Sequence, residues 1–196
     1  AKPTQKVGLI NPFLAQEKLD LSHKKTWFFP NVYLIDEEPK EIDGLLSHYF
    51  LDKSSLFAPQ ILPLKNDMRV LDMCSAPGGK LLVLLSRMLN LEITANDVSK
   101  DRAFRLKTVL NKYVPPSILK NIRLTIKDGN YFGLKEPETY DAVLLDAPCS
   151  GEAHIMADEK ILKKYQGPQK SLPYRQYSLL ASAFLALKPG GHVVYA

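Results

Sequence analysis

The sequence predicts an α/β protein organised around a parallel sheet, and three observations carry that prediction. Apolar runs of strand length occur at Arg69–Met73, Glu92–Asn96, Asn121–Ile126, Tyr140–Leu145 and His192–Tyr195. Stretches of helical spacing separate most of them. The first run passes through the turn Cys74-Ser-Ala-Pro-Gly-Gly-Lys80 into an apolar helix, the strand–glycine turn–helix of a nucleotide-binding crossover. The runs end at Asp72, Asp97, Asp128 and Asp146, which brings four carboxylates to one edge of the sheet. That edge is where parallel sheets bind ligands.

Each element has its own signal. Residues 1–50 are polar with short apolar bursts and read as an N-terminal arm or the remnant of an upstream module; 51–196 form the sheet domain. Trp27–Pro30 and Val32–Ile35 suggest a short strand or packed arm, closed by a turn at Asp36–Pro39. Ile42, Leu45, Leu46, Tyr49 and Phe50 fall at helical spacing and predict a helix over Lys40–Phe50. Ser54 and Ser55 suit the cap of a second helix, Leu56–Leu62, which Pro63 ends. After the first strand, Gly78 and Gly79 let the backbone approach a ligand with no Cβ in the way, and a helix over Lys80–Leu91 follows. The turn matches neither the phosphate-binding loop nor the spaced-glycine dinucleotide fingerprint. Asp97 ends the second strand 18 residues beyond Gly79, a placement that suits ribose hydroxyls. The helix Lys100–Val114 offers Phe104, Leu106, Val109, Leu110 and Tyr113 for packing, and Pro115–Pro116 stops it. Only a short connector is expected between strands three and four. Ser171–Leu187 reads as a helix closed by Lys188-Pro-Gly-Gly191.

Composition narrows the classes. A hydrophobic content of 45% in 196 residues is enough for one cored domain plus an extension. No run is long and apolar enough to span a membrane. Two cysteines, Cys74 and Cys149, are too few for a disulfide scaffold or a four-ligand zinc site, which fits a reducing compartment. The cytoplasm is the first expectation and the mitochondrial matrix the alternative. The net charge of +5 is uneven: residues 1–60 hold 7 basic and 8 acidic side chains, and 61–196 hold 19 and 13. A basic sheet domain permits a nucleic-acid partner, although a solvated basic surface explains the charge equally well.

At Asp146-Ala-Pro-Cys-Ser-Gly151 the pattern becomes specific. Together with Cys74–Lys80, Ala95-Asn-Asp-Val-Ser99, Arg102 and Lys188-Pro-Gly-Gly-His-Val-Val-Tyr195, it resembles the Nop/Sun (RsmB/Sun-domain) family of RNA cytosine-5 methyltransferases over residues 50–196. Among the branches, that of organellar ribosomal or transfer RNA is most similar. The resemblance implies a Rossmann-like, class I methyltransferase sheet, without its last strands in this chain, with S-adenosylmethionine as cofactor. It implies that Cys74, Ala76, Pro77, Gly78, Gly79 and Lys80 line the cofactor turn, with the glycines at the methionine end and Lys80 also facing the active site. Asp97, with Arg102 nearby, would hold the ribose and Asp128 the adenine amine. Asp146 would meet both the cofactor and the pyrimidine edge of the target cytosine. In such enzymes one cysteine adds to C6 of cytosine, which makes C5 enamine-like and able to attack a sulfonium methyl. A second cysteine assists product release, and Cys149 matches this one. The first belongs to a Thr-Cys pair just beyond the position of Ala196, so the sequence is expected to be part of a longer polypeptide. A five-stranded sheet would otherwise leave its last strand as a bare edge.

Cys74 has no required thiol chemistry in this scheme and is read as packing within the turn. In the long connector Glu152–Pro173, Lys160, Lys163, Lys164, Lys170 and Tyr165, with Tyr174 and Arg175 beside it, suit a clamp on RNA or a solvated insertion equally. The substrate expected is structured RNA, ribosomal first and transfer RNA second. A protein partner supplying RNA binding also fits, because no separate RNA-binding module is evident. Two other readings stay open: a non-catalytic ribosome-assembly factor that keeps the fold, and a DNA cytosine methyltransferase, whose nucleophile also lies in a Pro-Cys motif.

Overall fold

The computed structural model describes residues 6–26, 29–87, 89–149 and 171–196. Strands β1 (Lys6–Ile10), β2 (Lys24–Lys25), β3 (Val32–Leu34) and β6 (His48–Asp52) form an antiparallel sheet in the order β2-β3-β1-β6. Lys6 lies opposite Asp52 and Ile10 opposite His48, so the β1–β6 pairing runs past residue 50.

The helix expected over Lys40–Phe50 is not formed. Strands β4 (Glu41–Ile42) and β5 (Leu45–Leu46) make a small hairpin there, and β6 follows. Asp43 and Gly44 both take positive φ, 52° and 79°. Asp-Gly at the centre of a two-residue hairpin loop favours this backbone strongly, and over so few residues that outweighs a helical spacing of apolar side chains.

The second sheet is parallel, with β7 (Met68–Asp72), β8 (Leu91–Asn96), β9 (Ile122–Thr125), β10 (Tyr140–Leu145) and β11 (Leu187–Tyr195) in the order β11-β10-β7-β8-β9. Alternate residues of its strands enter two separate cores, as a pleated sheet covered on both faces requires. Val70, Ile93, Ala95, Ala142 and Leu144 meet Leu81–Leu85 of α2 (Gly79–Leu85) and Leu106 and Leu110 of α3 (Lys100–Tyr113). Val7, Leu9, Val32 and Leu51 of the N-terminal sheet join the same core. Leu71, Met73, Val143 and Leu145 meet Phe132 of α5 (Asn130–Lys135) and Leu179, Ala183 and Ala186 of α6 (Leu172–Ala186). Two shorter helices, α1 (Phe57–Ile61) and α4 (Pro116–Leu119), complete the described elements.

Helix α5 corrects the expectation of a bare connector between strands three and four. It packs closely on α6: the Ser182 hydroxyl accepts from Gly133 N at 2.9 Å and donates to Gly129 O at 2.8 Å. A Cβ on Gly133 would stand 2.9 Å from the Ser182 backbone. Helix α2 is shorter than expected and stops at Leu85. Leu91 must pair with Met68 at the start of the sheet, and Asn90 is tied back to Asn66 and Asp67. Ser54 and Ser55 lie inside a 3-10 turn, Lys53–Leu56, instead of capping a helix. Phe104 does not pack; it is 71% exposed on α3, whose buried stripe is Leu106, Leu110 and Tyr113. Strand β11 pairs only with β10 among the described strands. The connector Ser150–Lys170, with Lys160, Lys163, Lys164, Tyr165 and Lys170, lies outside the described residues, as do Trp27 and Phe28.

Candidate active site

From β7 the chain builds outward through β8 to β9, then returns to place β10 on the other side of β7. The two strands part at their C-terminal ends, and the crevice at such a reversal is the ligand site of open parallel sheets. The Cys74–Lys80 turn leaves from one side and Asp146–Cys149 from the other.

The turn is held by its neighbours. Gly78 has φ 115°, and a Cβ on it would lie 2.9 Å from Leu106 Cδ1 and 3.3 Å from Val109 Cγ1. A Cβ on Gly79 would lie 3.1 Å from the Tyr49 ring, which packs edge-on against Tyr113 at 5.2 Å. The Ala76–Pro77 peptide is cis. Arg102 Nη2 donates to Ala76 O at 2.5 Å and stands 3.4 Å from Asp97 Oδ2, so one guanidinium joins the turn to the end of β8. Asn96, buried and unassigned by sequence reasoning, ties three strand ends together: its amide donates to Met73 O and Lys127 O, and its carbonyl accepts from Thr125 Oγ1 and Lys127 N.

Across the crevice, Lys80 Nζ meets Asp146 Oδ2 at 2.7 Å. The two sit in a cleft of about 390 Å³ with Cys74, Ala76, Pro77 and Gly79. Its other wall is Tyr49–Asp52 and Ser55, from the N-terminal sheet and the turn after it. No sequence signal marked that wall, because residues 48–50 read as the end of a helix and nothing singled out Leu51 or Asp52. Cys149 is free and exposed just beyond Asp146, and Gln176 Nε2 holds the preceding Pro148 carbonyl at 2.8 Å. Ala196 exchanges backbone hydrogen bonds with Leu145 and Ala147, so the end of β11 lies beside this loop. A larger cavity, about 500 Å³, opens at the opposite, N-terminal ends of the strands, around Arg69, Glu92, Arg123, Glu136 and Tyr140. Its arginines are already paired, Arg123 with Glu136 and Arg69 with Glu92.

Electrostatics separate the acids by task. Asp97 is almost wholly buried; Oδ1 accepts from Ser99 N, and Oδ2 has no hydrogen-bond donor. It is therefore an acceptor suited to a hydroxyl. Asp128 stands apart, beyond the end of β9. Burial works to raise its carboxyl, but the Asn130 amide and the Arg175 guanidinium, 2.8 Å away, outweigh burial and hold it below the usual range. Cys74 is free and partly buried, and burial foremost, then Asp72, pushes its thiol up to about 12. It is a neutral packing group at physiological pH, not a nucleophile.

Asp72 is fully buried beneath the turn. Oδ2 accepts from Ser75 Oγ at 2.7 Å, and Oδ1 has no partner. Burial raises its carboxyl to about 7, against the opposing Ser75 hydrogen bond. The folded protein thus keeps a proton that the unfolded chain releases near pH 4. Stability is accordingly expected to fall as pH rises from about 4 to 7, by up to about 1.4 kcal/mol per pH unit. Asp72→Asn should flatten that slope in denaturant titrations across this range; an unchanged slope would show that Asp72 does not hold the proton.

The crevice thus gathers Cys74, the Ala76–Lys80 turn and Asp146, and Cys149 follows Asp146 on an exposed loop; Arg102 ties Asp97 to the turn, and Asp128 lies beyond the end of β9. Comparison with known proteins agrees with this architecture. The profile of the family described as 16S rRNA methyltransferase RsmB/F matches residues 59–196. The 5-cytosine rRNA methyltransferase NSUN4 of Mus musculus is 41% identical over 158 residues, covering 78% of this chain and 42% of that protein. The mitochondrial tRNA (cytosine(34)-C(5))-methyltransferase of Danio rerio is 34% identical over 192 residues, covering 93% and 52%. The chain thus spans about half the length of these relatives. A methyltransferase homolog from Pyrococcus horikoshii superposes with a TM-score of 0.71 at 28% identity, over 99% of this chain and 64% of that one. The parallel sheet is therefore the Rossmann-like sheet of a methyltransferase, and the chain belongs to the RsmB/F family of 16S rRNA methyltransferases.

Proposed function

We propose that this chain carries the core of an S-adenosylmethionine-dependent RNA (cytosine-5) methyltransferase acting on ribosomal RNA, with transfer RNA the second choice. The observation that carries the reading is the meeting of the Lys80–Asp146 pair and the glycine turn in one crevice, with a free, exposed Cys149 three residues beyond Asp146. S-adenosylmethionine fits the residues present. The undonated Oδ2 of Asp97 is a buried acceptor for a ribose hydroxyl, and Asp128 is an anionic acceptor for the adenine amine. When bound, the cofactor supplies the electrophilic methyl group.

The chain's own groups divide the remaining work. Asp146 accepts from the amine edge of the target cytosine, and Lys80, 2.7 Å away, holds that carboxylate in place. Cys149 serves the later proton removal and release of product. The resemblance sets the attacking thiol in a Thr-Cys pair next after the last strand; Ala196 is bonded to Leu145 and Ala147, so the end of β11 opens on the same rim. The target base must leave its stack to enter the crevice. Structured RNA is the partner, with a second protein supplying further RNA contacts. The mitochondrial relative in Danio rerio favours the mitochondrial matrix over the cytoplasm. No helix among the described residues is long and apolar enough to cross a membrane.

The test is covalent trapping of the full-length polypeptide on RNA substituted with 5-azacytidine, which blocks enzyme release. Wild type is expected to form a protein–RNA adduct, and Cys149→Ala to retain it. Loss of the adduct in Cys149→Ala would make Cys149 the attacking thiol and reverse the roles of the two cysteines. No adduct in wild type that still binds S-adenosylmethionine would favour a non-catalytic assembly factor.

A further inference from the structure

We propose that Asp52, at the end of β6, receives the ammonium group at the methionine end of the cofactor; this rests on the cofactor reading above. Asp52 lies in the wall of the 390 Å³ cleft contributed by the N-terminal sheet, with the Cys74–Pro77 turn, Gly79 and Lys80 among the other lining residues. It precedes the segment that the family profile matches, which begins at residue 59.

The charges in the cleft single it out. Lys80 and Asp146 neutralise each other at 2.7 Å. Asp52 is half-buried, and among the described residues its carboxylate has no hydrogen bond or ion pair. It occupies the N-cap position of the 3-10 turn Lys53–Leu56, yet its side chain makes no cap bond. A half-buried carboxylate left uncompensated costs free energy that a cationic ligand group recovers. The cleft already holds an internal partner for Asp146 but none for Asp52. A ligand that brings a carboxylate to this wall is repelled, whereas one that brings an ammonium completes the ion pair. The cytosine amine is served from the β10 side, by Asp146. The wall that carries Asp52 shares the cleft with the glycine turn, where the amino-acid end of the cofactor belongs. Ser55, also lining the cleft, adds a hydroxyl to the same wall.

The geometry further explains why the N-terminal sheet is fastened so firmly. The Asn11 side chain donates to Leu46 O at 2.9 Å and to Tyr113 O, at the end of α3, at 3.0 Å. The Tyr49 ring lies against Gly79 and Tyr113. Together these contacts hold β6 at a set distance from the turn, so its terminal carboxylate is pre-positioned for the ligand.

Calorimetric binding of two probes to the full-length polypeptide tests the assignment. S-adenosylhomocysteine carries the ammonium; 5′-methylthioadenosine lacks the amino-acid end. Asp52→Asn is expected to weaken S-adenosylhomocysteine by about tenfold to a hundredfold, the worth of a hydrogen bond to a charged group, and to leave 5′-methylthioadenosine unchanged. Equal affinity of wild type and variant for S-adenosylhomocysteine would overturn it, as would parallel weakening of both probes. A desamino analogue of S-adenosylhomocysteine gives the same test from the ligand side. It should bind wild type as weakly as the variant binds S-adenosylhomocysteine, and tight binding of the analogue by wild type would overturn the assignment without any mutation. Wild type that binds neither adenosine probe would refute the cofactor reading itself.

Discussion

Replacing Gly78 by valine is expected to lower stability by about 2–6 kcal/mol and to abolish cofactor binding. Two costs add. The φ of 115° is a conformation that L residues with a Cβ rarely adopt, worth about 1–3 kcal/mol. The new side chain would also meet α3, whose Leu106 Cδ1 and Val109 Cγ1 lie 2.9 and 3.3 Å from the Cβ position. Overpacking of that kind costs roughly 1–3 kcal/mol. For a chain of this size about 2–4 °C of melting temperature go with each kcal/mol, so a drop of about 4–24 °C should appear on thermal unfolding. Gly44→Ala is the internal control. Its φ is 79°, but nothing lies within 4 Å of its Cβ position. It should lose about 1 kcal/mol from the backbone alone. Equal losses at the two positions would show that contact with α3 does not matter to the turn. Gly78→Val protein that still binds S-adenosylhomocysteine normally would remove the glycine turn from the cofactor site.

Asp146→Asn is expected to reduce methyl transfer by about a hundredfold or more. The asparagine keeps the shape but offers the cytosine edge a neutral acceptor and gives Lys80 no counter-charge. Placed groups aimed at a reacting base are typically worth factors of that size. Lys80→Met makes the complementary change. It strands Asp146, whose side chain is 37% exposed, so solvent screens part of the loss and about 1–2 kcal/mol of stability should go. The double variant separates the two. Because the residues act as one pair, its activity should lie close to that of the worse single variant, not at the product of the two losses. Multiplicative losses in single-turnover assays would mean that Lys80 and Asp146 act independently, despite their 2.7 Å contact.

Much of the architecture was legible in the sequence, because it rests on local signals. Five apolar runs became the five parallel strands, and the central three, β7, β8 and β10, are buried on both faces over most of their length, which calls for near-continuous apolar residues. The glycine turn announced itself by residues that few other backbones need: Gly78 occupies a positive φ. Asp72, Asp97, Asp128 and Asp146 lie at strand ends as chain order alone suggested. Where local signals competed, the reading failed. Ile42, Leu45 and Leu46 carry a helical spacing, but Asp43-Gly44 dictates a hairpin. Asn130–Lys135 has little periodicity of its own and is helical because Gly133 lets it lie directly on Ser182 of α6.

What the sequence determined by itself is the order of the five parallel strands along the chain and the identity of the groups carried to the C-terminal rim. Those depend on residue type, turn chemistry and spacing, which act over a few residues. Only the tertiary structure decided how these groups differ. Asp72 and Asp97 are sealed from water while Asp128 is held by Arg175 and Asp146 by Lys80. Cys74 is buried into inertness and Cys149 is left at the surface. The wall that brings Asp52 to the crevice comes from a sheet whose pairing runs from Lys6 to Asp52. Burial and counter-charge arise from contacts between residues far apart in the chain, and no local pattern encodes them.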